Sequence, residues 1–374
     1  MRRTIIILIL ATIGLSCTKD AIHFPTTNCS WRELSEDHPK NDLYQQVLDQ
    51  YTGMGIPGIA VLIAKKRENI WAGASGVAEI ENGLPLEPCH IMPLGSAGEL
   101  FCGTAAMLMT EDEILDLDAK IADYLPVDIS GQIPNSQKVT IAHLLSHKSG
   151  IPDYSDNPNA TLDLLNNKDM DFSRENVLEK YVYGKSSKFS PGSEYDYSHS
   201  NYEILTLIMD QVYPKGHADY YSFRLFRRLG LEKTYYKGET DYYTLNSRGM
   251  ANGYFDRYSK GKLENATDLS LTIASGQTGS GGVVSSVVDL YTLLKSILAA
   301  DIVRPTSLEL MKTYGIAMGH SGSLPGYSTE AWYYPEEDSY IIYLINAGNT
   351  INGPIQRLID IDFHEKILST VFTN

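Results

Sequence analysis

Residues 143–154 read HLLSHKSGIPDY, and this stretch, together with three segments that accompany it, decides the fold. Its first half lies within Thr140–Ser146, where the apolar residues have helical spacing. The accompanying segments are GSAGE at 95–99, PG at 191–192 followed by YSH at 197–199, and HSG at 320–322 followed by PG at 325–326. Each segment alone is short enough to occur by chance. Their common order along one chain makes coincidence improbable.

These segments resemble the serine β-lactamase and penicillin-binding-protein superfamily, especially its class C β-lactamase, D,D-peptidase and esterase branch, over roughly residues 45–346. The resemblance implies an α/β, β-lactamase/transpeptidase-like fold, in which helices flank an antiparallel sheet and a mainly helical subdomain is inserted. The sequence pattern agrees with this fold. Apolar, branched stretches predict a hairpin at 58–65 and 70–80, and two further strands at 330–334 and 340–346. Strands at both ends of the chain predict a helical insert between them, at roughly 105–275.

The start of the chain is typical of an exported protein. Residues 1–16 read as a lipoprotein-type signal peptide, because Arg2 and Arg3 precede an apolar run that is too short to span a bilayer. The small residues before Cys17 are similar to a lipobox, although Gly14 stands where leucine is usual. A cleaved secretory signal without lipid is the alternative. We expect lipidation at Cys17, a bacterial membrane anchor facing the periplasm or the cell surface, a tether at 17–42 and a β-lactamase-like domain at 43–374.

Composition narrows the partners. The 46 Asp and Glu exceed the 31 Lys and Arg, and a net charge of −15 makes nucleic acid an unfavourable partner. The chain has no CxxC pair or HExxH, so neither a metal site nor a cofactor is predicted. Besides Cys17 there are three cysteines: Cys29 and Cys89, whose pairing the sequence leaves open, and Cys102, which reads as a small buried residue. The expected partner is a small-molecule, ester or peptide substrate, and the oligomeric state stays undetermined.

The resemblance places a nucleophile at Ser96, because the family carries Ser-x-x-Lys at the start of a buried helix. From Leu100 to Met109 this chain is apolar on nearly every face, as such a helix requires. Tyr197 matches the tyrosine that relays protons, and His320 opens the strand motif in its histidine form. His143 and His147 are expected to be scaffold residues.

The same strand is expected to bind the substrate. By resemblance, Ser321, Gly322 and Ser323 follow His320 along the edge of the active site. The backbone N–H groups of Ser96 and Ser323 would form an oxyanion hole, directed at the charge that develops on a carbonyl oxygen.

Two positions depart from the family pattern: Glu99 replaces the lysine, and His199 replaces the asparagine that follows the tyrosine. A serine hydroxyl is a poor nucleophile without a base, so loss of the lysine is consistent with an inactive protein. Alternatively, Ser96, His199 and Glu99 form a triad, since Ser96 and Glu99 are three residues apart on one helix face. A third interpretation groups Glu99, His199 and His320 as zinc ligands.

The sequence therefore predicts a serine hydrolase or acyltransferase that forms an acyl-enzyme on Ser96 from an ester, amide or peptide. The triad of Ser96, His199 and Glu99 would replace the Ser-Lys-Tyr arrangement of the family. The alternative is a catalytically inactive lipoprotein that binds a peptide or cell-wall fragment in the inherited cleft.

Overall fold

The structure is a computed structural model that describes residues 29–166, 171–236, 240–348 and 353–373. The predicted signal peptide at 1–16 and the lipidation site at Cys17 lie outside these ranges. Of the predicted tether, the described part is folded onto the domain. Cys29 forms a disulfide with Cys89, and the amide of Ala72 donates a hydrogen bond of 2.8 Å to Ser35 Oγ. No helix within the described ranges is long and apolar enough to cross a membrane.

A six-stranded antiparallel sheet forms the centre of the molecule, with strand order β3-β2-β1-β11-β10-β9. Its first three strands come from the start of the chain and its last three from the end. The strands, in chain order, are β1 Gly58–Lys65, β2 Trp71–Glu79, β3 Leu84–Pro85, β4 Met92–Pro93, β5 Tyr235–Tyr236, β6 Tyr254–Phe255, β7 Glu264–Asn265, β8 Val283–Ser285, β9 Gly319–Leu324, β10 Tyr327–Tyr334 and β11 Ser339–Ile345. The predicted fold class is confirmed, including the hairpin β1–β2 and the strand pair β10–β11.

The chain between β4 and β8 is mostly helical and is interrupted by short strands. The remaining helices precede β1 or follow β8. The helices, in chain order, are α1 Trp31–Glu36, α2 Asn41–Gly53, α3 Glu99–Glu111, α4 Ile121–Tyr124, α5 Val127–Ser130, α6 Ile141–Leu145, α7 Pro158–Asn166, α8 Arg174–Tyr181, α9 His199–Val212, α10 Gly216–Tyr221, α11 Arg227–Leu229, α12 Tyr242–Ser247, α13 Thr267–Gly276, α14 Val287–Leu298, α15 Pro305–Tyr314, α16 Pro354–Arg357 and α17 His364–Phe372. Short 3-10 turns cover Gly95–Gly98 and Tyr154–Asp156.

Strand β1 shows that the sheet is buried on both faces. Successive side chains of a strand point to opposite faces, so Ile59, Val61 and Ile63 pack towards α2 and α17. Ala60 and Leu62 belong to the other core, which contains α3 and α14. A strand with apolar residues on both faces therefore reads as one continuous apolar run, as GIAVLIAK does.

Edge strand β9 lies directly against the turn that carries Ser96. Gly95 has φ +55°, a left-handed conformation, and a Cβ there would lie 2.8 Å from the backbone nitrogen of Ser323. A Cβ on Gly322 would overlap the carbonyl oxygen of Leu94. Glycine at both positions lets the backbones approach, and this approach positions Ser323 beside Ser96.

Candidate active site

Ser96 lies in the 3-10 turn Gly95–Gly98, which leads directly into α3. All side chains of α3 from Glu99 to Met109 are buried, so this helix runs through the protein interior. Ser96 itself is only partly buried and lines a cavity of about 330 Å³. A hydroxyl at the start of a buried helix and at the wall of a cavity is placed to meet a small molecule.

A chain of hydrogen bonds joins Ser96, His199 and Asp153. Ser96 Oγ lies 3.0 Å from His199 Nε2, and His199 Nδ1 lies 2.8 Å from Asp153 Oδ2. Helix α9 begins at His199, whose backbone amide also donates to Asp153 Oδ2 at 3.2 Å. Asp153 is 6% exposed, and its Oδ1 accepts from the amide of Ser155 at 2.9 Å. This is the connectivity of a Ser-His-Asp triad.

The partners of His199 define its tautomer. An ionised carboxylate only accepts, so Nδ1 carries the proton and Nε2 is left to accept from the Ser96 hydroxyl. Burial lowers the pKa of His199, but the hydrogen bond and charge of Asp153 outweigh burial and raise the pKa above its ordinary value. For Asp153, burial raises the pKa, but the hydrogen bond and charge of His199 together with the backbone amides of Ser155 and His199 outweigh burial, and the net pKa is lowered. Asp153 is therefore held as a carboxylate and favours the imidazolium.

Glu99 is not the acid of this triad, contrary to the sequence prediction. Its Oε1 accepts from the Tyr197 hydroxyl at 2.6 Å, while its Oε2 lies 3.3 Å from His147 Nε2 and 3.4 Å from His320 Nε2. The physical reason lies in the shape of the imidazole. When Nε2 of His199 contacts Ser96, the opposite ring nitrogen, Nδ1, faces Asp153 in the loop after α6. It therefore does not face Glu99, which begins α3.

Asp153 and His147 are the site residues that sequence reasoning missed. Both belong to the HLLSHKSGIPDY stretch. The sequence alone predicts a scaffold role for His147 and assigns no role to Asp153. Helix α6 within it is capped by Thr140, whose Oγ1 accepts from the amide of His143 at 3.3 Å. A clue was present, because a serine and a histidine that need a carboxylate partner occur with an aspartate inside the most specific motif.

The zinc interpretation has no support from the geometry. His199 contacts Ser96 and Asp153, whereas Glu99 and His320 contact each other, so the three side chains do not converge on one centre. Among the described residues, no three His, Cys, Asp or Glu side chains are grouped to hold a metal ion. Cys102 is buried and unpaired, as expected of a structural residue.

Two cavities meet at the triad. The first, of about 330 Å³, is lined by Ser96, Tyr197 and His199 together with the β9 residues His320, Ser321, Gly322 and Ser323. The second, of about 450 Å³, shares His199, Ser323, Gln356 and Asp360 with the first, and its wall includes Leu164, Leu165, Phe172, Ile273 and Leu324. Both cavities have polar and apolar lining residues. We call the first the β9 cavity and the second the α7 cavity, because Leu164 and Leu165 lie on α7.

Comparison with known proteins places this site in a family. Residues 44–361 match the family model described as Beta-lactamase. Penicillin-binding protein 4* of Bacillus subtilis strain 168 is 25% identical over 321 residues, which cover 76% of this chain and 67% of that protein. D-amino acid amidase from Ochrobactrum anthropi SV3, solved with L-phenylalanine amide, superimposes with a TM-score of 0.75 at 19% identity, over 88% of this chain and 98% of the amidase.

A second solved structure is similar over the same extent. EstCE1, described as a hydrolase with promiscuous acyltransferase activity, superimposes with a TM-score of 0.68 at 19% identity, covering 89% of this chain and 98% of EstCE1. At these identities the two solved structures establish the fold. Because the family model spans most of the sequence, the chain belongs to the Beta-lactamase family, within the β-lactamase/transpeptidase-like superfamily.

Proposed function

We propose that this protein is a serine hydrolase that forms an acyl-enzyme on Ser96 from a carboxylic ester or amide. The proposal is carried by the hydrogen-bonded chain from Ser96 through His199 to Asp153. A serine hydroxyl needs an adjacent base to become a nucleophile, and His199 Nε2 is a base at 3.0 Å. This base takes over the task that the family resemblance assigns to a lysine.

In the first half-reaction, Ser96 Oγ attacks the carbonyl carbon while His199 Nε2 takes the hydroxyl proton. Asp153 stabilises the resulting imidazolium, and the backbone N–H groups of Ser96 and Ser323 are directed at the oxyanion. When the tetrahedral intermediate collapses, His199 gives the proton to the leaving alcohol or amine. A water or a second alcohol, deprotonated by His199, then attacks the acyl-enzyme and restores Ser96.

Tyr197 has a different task from the proton relay implied by the resemblance. Its hydroxyl donates to Glu99, and burial together with the charge of Glu99 raises its pKa well above the ordinary value. A phenol that is held protonated is a poor general base. In this reaction Tyr197 is a neutral residue that lines the β9 cavity, and His199 is the base.

The cavities indicate which substrates fit. The α7 cavity has Leu164, Phe172 and Ile273 on its wall and is suited to an apolar acyl or aryl group, because burial of such a group is favourable by roughly 25 cal/mol per Å². The β9 cavity then holds the leaving group or an accepting alcohol. Esters with apolar acyl groups are therefore the preferred test substrates, and acyl transfer to an alcohol is the expected side reaction.

The test is covalent labelling of the full chain with a fluorescent fluorophosphonate. We expect labelling of the wild type, none of Ser96→Ala, and strongly slowed labelling of His199→Asn and Asp153→Asn. Ser369→Ala is the matched control, since Ser369 lies on α17, where its hydroxyl donates only to the Lys366 carbonyl, and it should label like the wild type. Absence of any Ser96-dependent adduct would favour the inactive, peptide-binding alternative.

A further inference from the structure

We infer that Glu99 and His320 form an ion pair at the wall of the active-site cavity, and that Glu99 is a positioning residue which leaves His199 as the base beside Ser96. Its contacts are those of a structural anion with no exposed surface. The side chain is 0% exposed and is approached by Tyr197 from the segment before α9, by His147 from the loop after α6 and by His320 from β9. The protonation states of these three neighbours follow from their other partners.

His147 is neutral and carries its proton on Nε2. Its Nδ1 accepts a hydrogen bond of 3.2 Å from the amide of Ser198, so that nitrogen has no proton. Asn201 Nδ2 also approaches Nδ1, at 3.3 Å, and the Asn201 amide is oriented because its Oδ1 accepts from Ser149 Oγ. Nε2 of His147 therefore carries the proton and lies 3.3 Å from Glu99 Oε2, close enough for charge attraction but outside the geometry of a hydrogen bond. The backbone of His147 has φ +52°, a left-handed conformation that residues other than glycine rarely adopt. This conformation places the imidazole ring beside Glu99.

His320 is an imidazolium. Its Nδ1 lies 2.5 Å from the carbonyl oxygen of Ser321, which only accepts, so Nδ1 carries a proton. Its Nε2 lies 3.4 Å from Glu99 Oε2, which is the distance of an ion pair although not the geometry of a hydrogen bond, and a neutral His320 would leave this buried oxygen without a cation. Burial lowers the pKa of His320, but the contact with Glu99 outweighs burial and raises it. With Glu99 negative and Tyr197 and His147 neutral, the four side chains sum to zero charge.

The ion pair keeps a cation in the site but moves it. The family pattern has its cation on the helix, at the position of Glu99, whereas here the cation lies on β9 at His320. A lysine at position 99 would add a second cation next to His320 and close to the imidazolium that forms on His199 in every turnover. Glu99 has the opposite effect, because its charge favours the protonated form of His199.

The protonation states can be measured without any turnover. We would label the histidines of the full chain with ¹³C and ¹⁵N, follow their ring signals from pH 5 to 9 by NMR, and assign His320 with His320→Gln. We expect the wild-type His320 to remain doubly protonated above pH 6.5 and to become neutral at lower pH in Glu99→Gln. Asp153→Asn is the control, because it should change the titration of His199 and leave that of His320 unaltered.

Activity tests the positioning role, which rests on the proposed function. Glu99→Gln should still label at Ser96 but lose roughly ten-fold in kcat, because Glu99 acts on His199 through its charge and couplings within one network of side chains are of that size. Glu99→Lys should fall to the level of Ser96→Ala. Circular dichroism checks folding, and Tyr197→Phe, which removes the hydroxyl that contacts Glu99 and Ser96, is compared through its His320 titration if Glu99→Gln unfolds.

The outcomes separate the two hypotheses. A wild-type His320 that is neutral at pH 7 overturns the ion pair, whatever the labelling result. A charged His320 in a protein that does not label overturns the proposed hydrolase and leaves the ion pair standing. Full wild-type activity in both Glu99→Gln and Glu99→Lys overturns the positioning role.

Discussion

Two carboxylates lie close to the same serine, and they differ in what surrounds them. Asp153 has one imidazole partner, His199, whose far side opens onto a cavity through Ser96. Glu99 is enclosed by Tyr197, His147 and His320 and has no exposed surface. We call these the open pair, Asp153 with His199, and the closed pair, Glu99 with His320. In the proposed reaction the proton passes through the open pair, whereas Glu99 of the closed pair has no exposed surface through which it could reach a substrate.

The largest expected effect is on the base of the open pair. His199→Asn restores the residue of the family pattern but removes the imidazole nitrogen that accepts from the Ser96 hydroxyl. Removal of a triad member typically lowers kcat by roughly 10⁴-fold or more. Steady-state hydrolysis of a p-nitrophenyl ester measures this loss. If His199→Asn retained activity within ten-fold of the wild type, the open pair would not be the catalytic one.

The two carboxylates can then be compared directly. Asp153→Asn should lower kcat by on the order of 10³- to 10⁴-fold, because the amide no longer fixes the His199 tautomer or stabilises the imidazolium. Glu99→Gln should lower kcat only roughly ten-fold, because Glu99 acts on His199 through its charge rather than through a hydrogen bond. Measured kcat and KM for both variants decide the comparison, with KM expected to change little in either. Equal losses would contradict the division into an open and a closed pair.

The pH profile sharpens the same comparison. The base must be neutral to accept the serine proton, and Asp153 raises the pKa of His199, so activity should fall with acid along a limb that lies above pH 6.5. Loss of Asp153 removes the largest contribution that raises this pKa and should move the limb to lower pH. Loss of Glu99 should move it in the same direction by less. A limb that does not shift in Asp153→Asn would contradict the assignment of the base.

The sheet and the buried helix that follows Ser96 could be predicted from the sequence, because they depend on local patterns. The continuous apolar run of β1 and the apolar helix α3 can be recognised from residue spacing alone. The acid of the triad depends instead on which way the ring of His199 faces across the junction of α9, α3 and the loop at 150–156. The spacing of Ser96 and Glu99, which lie in a 3-10 turn and at the start of α3, carries no information about the direction of His199 Nδ1. Asp153 was therefore found only in three dimensions.

The closed pair should be more important for stability than for chemistry. His320→Gln leaves Glu99 buried without its cation, and loss of one partner of a buried ion pair costs about 3–5 kcal/mol of unfolding free energy. Glu99 has its pKa lowered to about 2, so its contribution is full above its ordinary value of 4.5 and is lost as the pH falls towards 2. His320 has a raised pKa, so its contribution is full below 6.5 and is lost as the pH rises above that value.

Urea unfolding of wild type and His320→Gln at pH 5.5, where both groups are charged, should show the largest difference in stability. The difference should shrink at pH 9 and at pH 3. Lys312→Gln, which breaks a surface pair with Glu309 on α15, is the control and should change stability little at any pH. A difference that is independent of pH would show that His320 contributes by packing alone.

The smallest expected effect concerns the α7 cavity, which is lined in part by His199 of the open pair. Leu164 lines that cavity on α7, and Leu164→Trp should fill part of it. We expect kcat/KM for an octanoyl ester to fall roughly ten-fold relative to an acetyl ester, since a few lost methylene contacts correspond to 1–3 kcal/mol. Leu162→Trp is the matched control, because Leu162 is on the same helix but 55% exposed and does not line the cavity. If both variants discriminate equally between chain lengths, the acyl group does not bind in the α7 cavity. The β9 cavity is then the expected binding site of the acyl group.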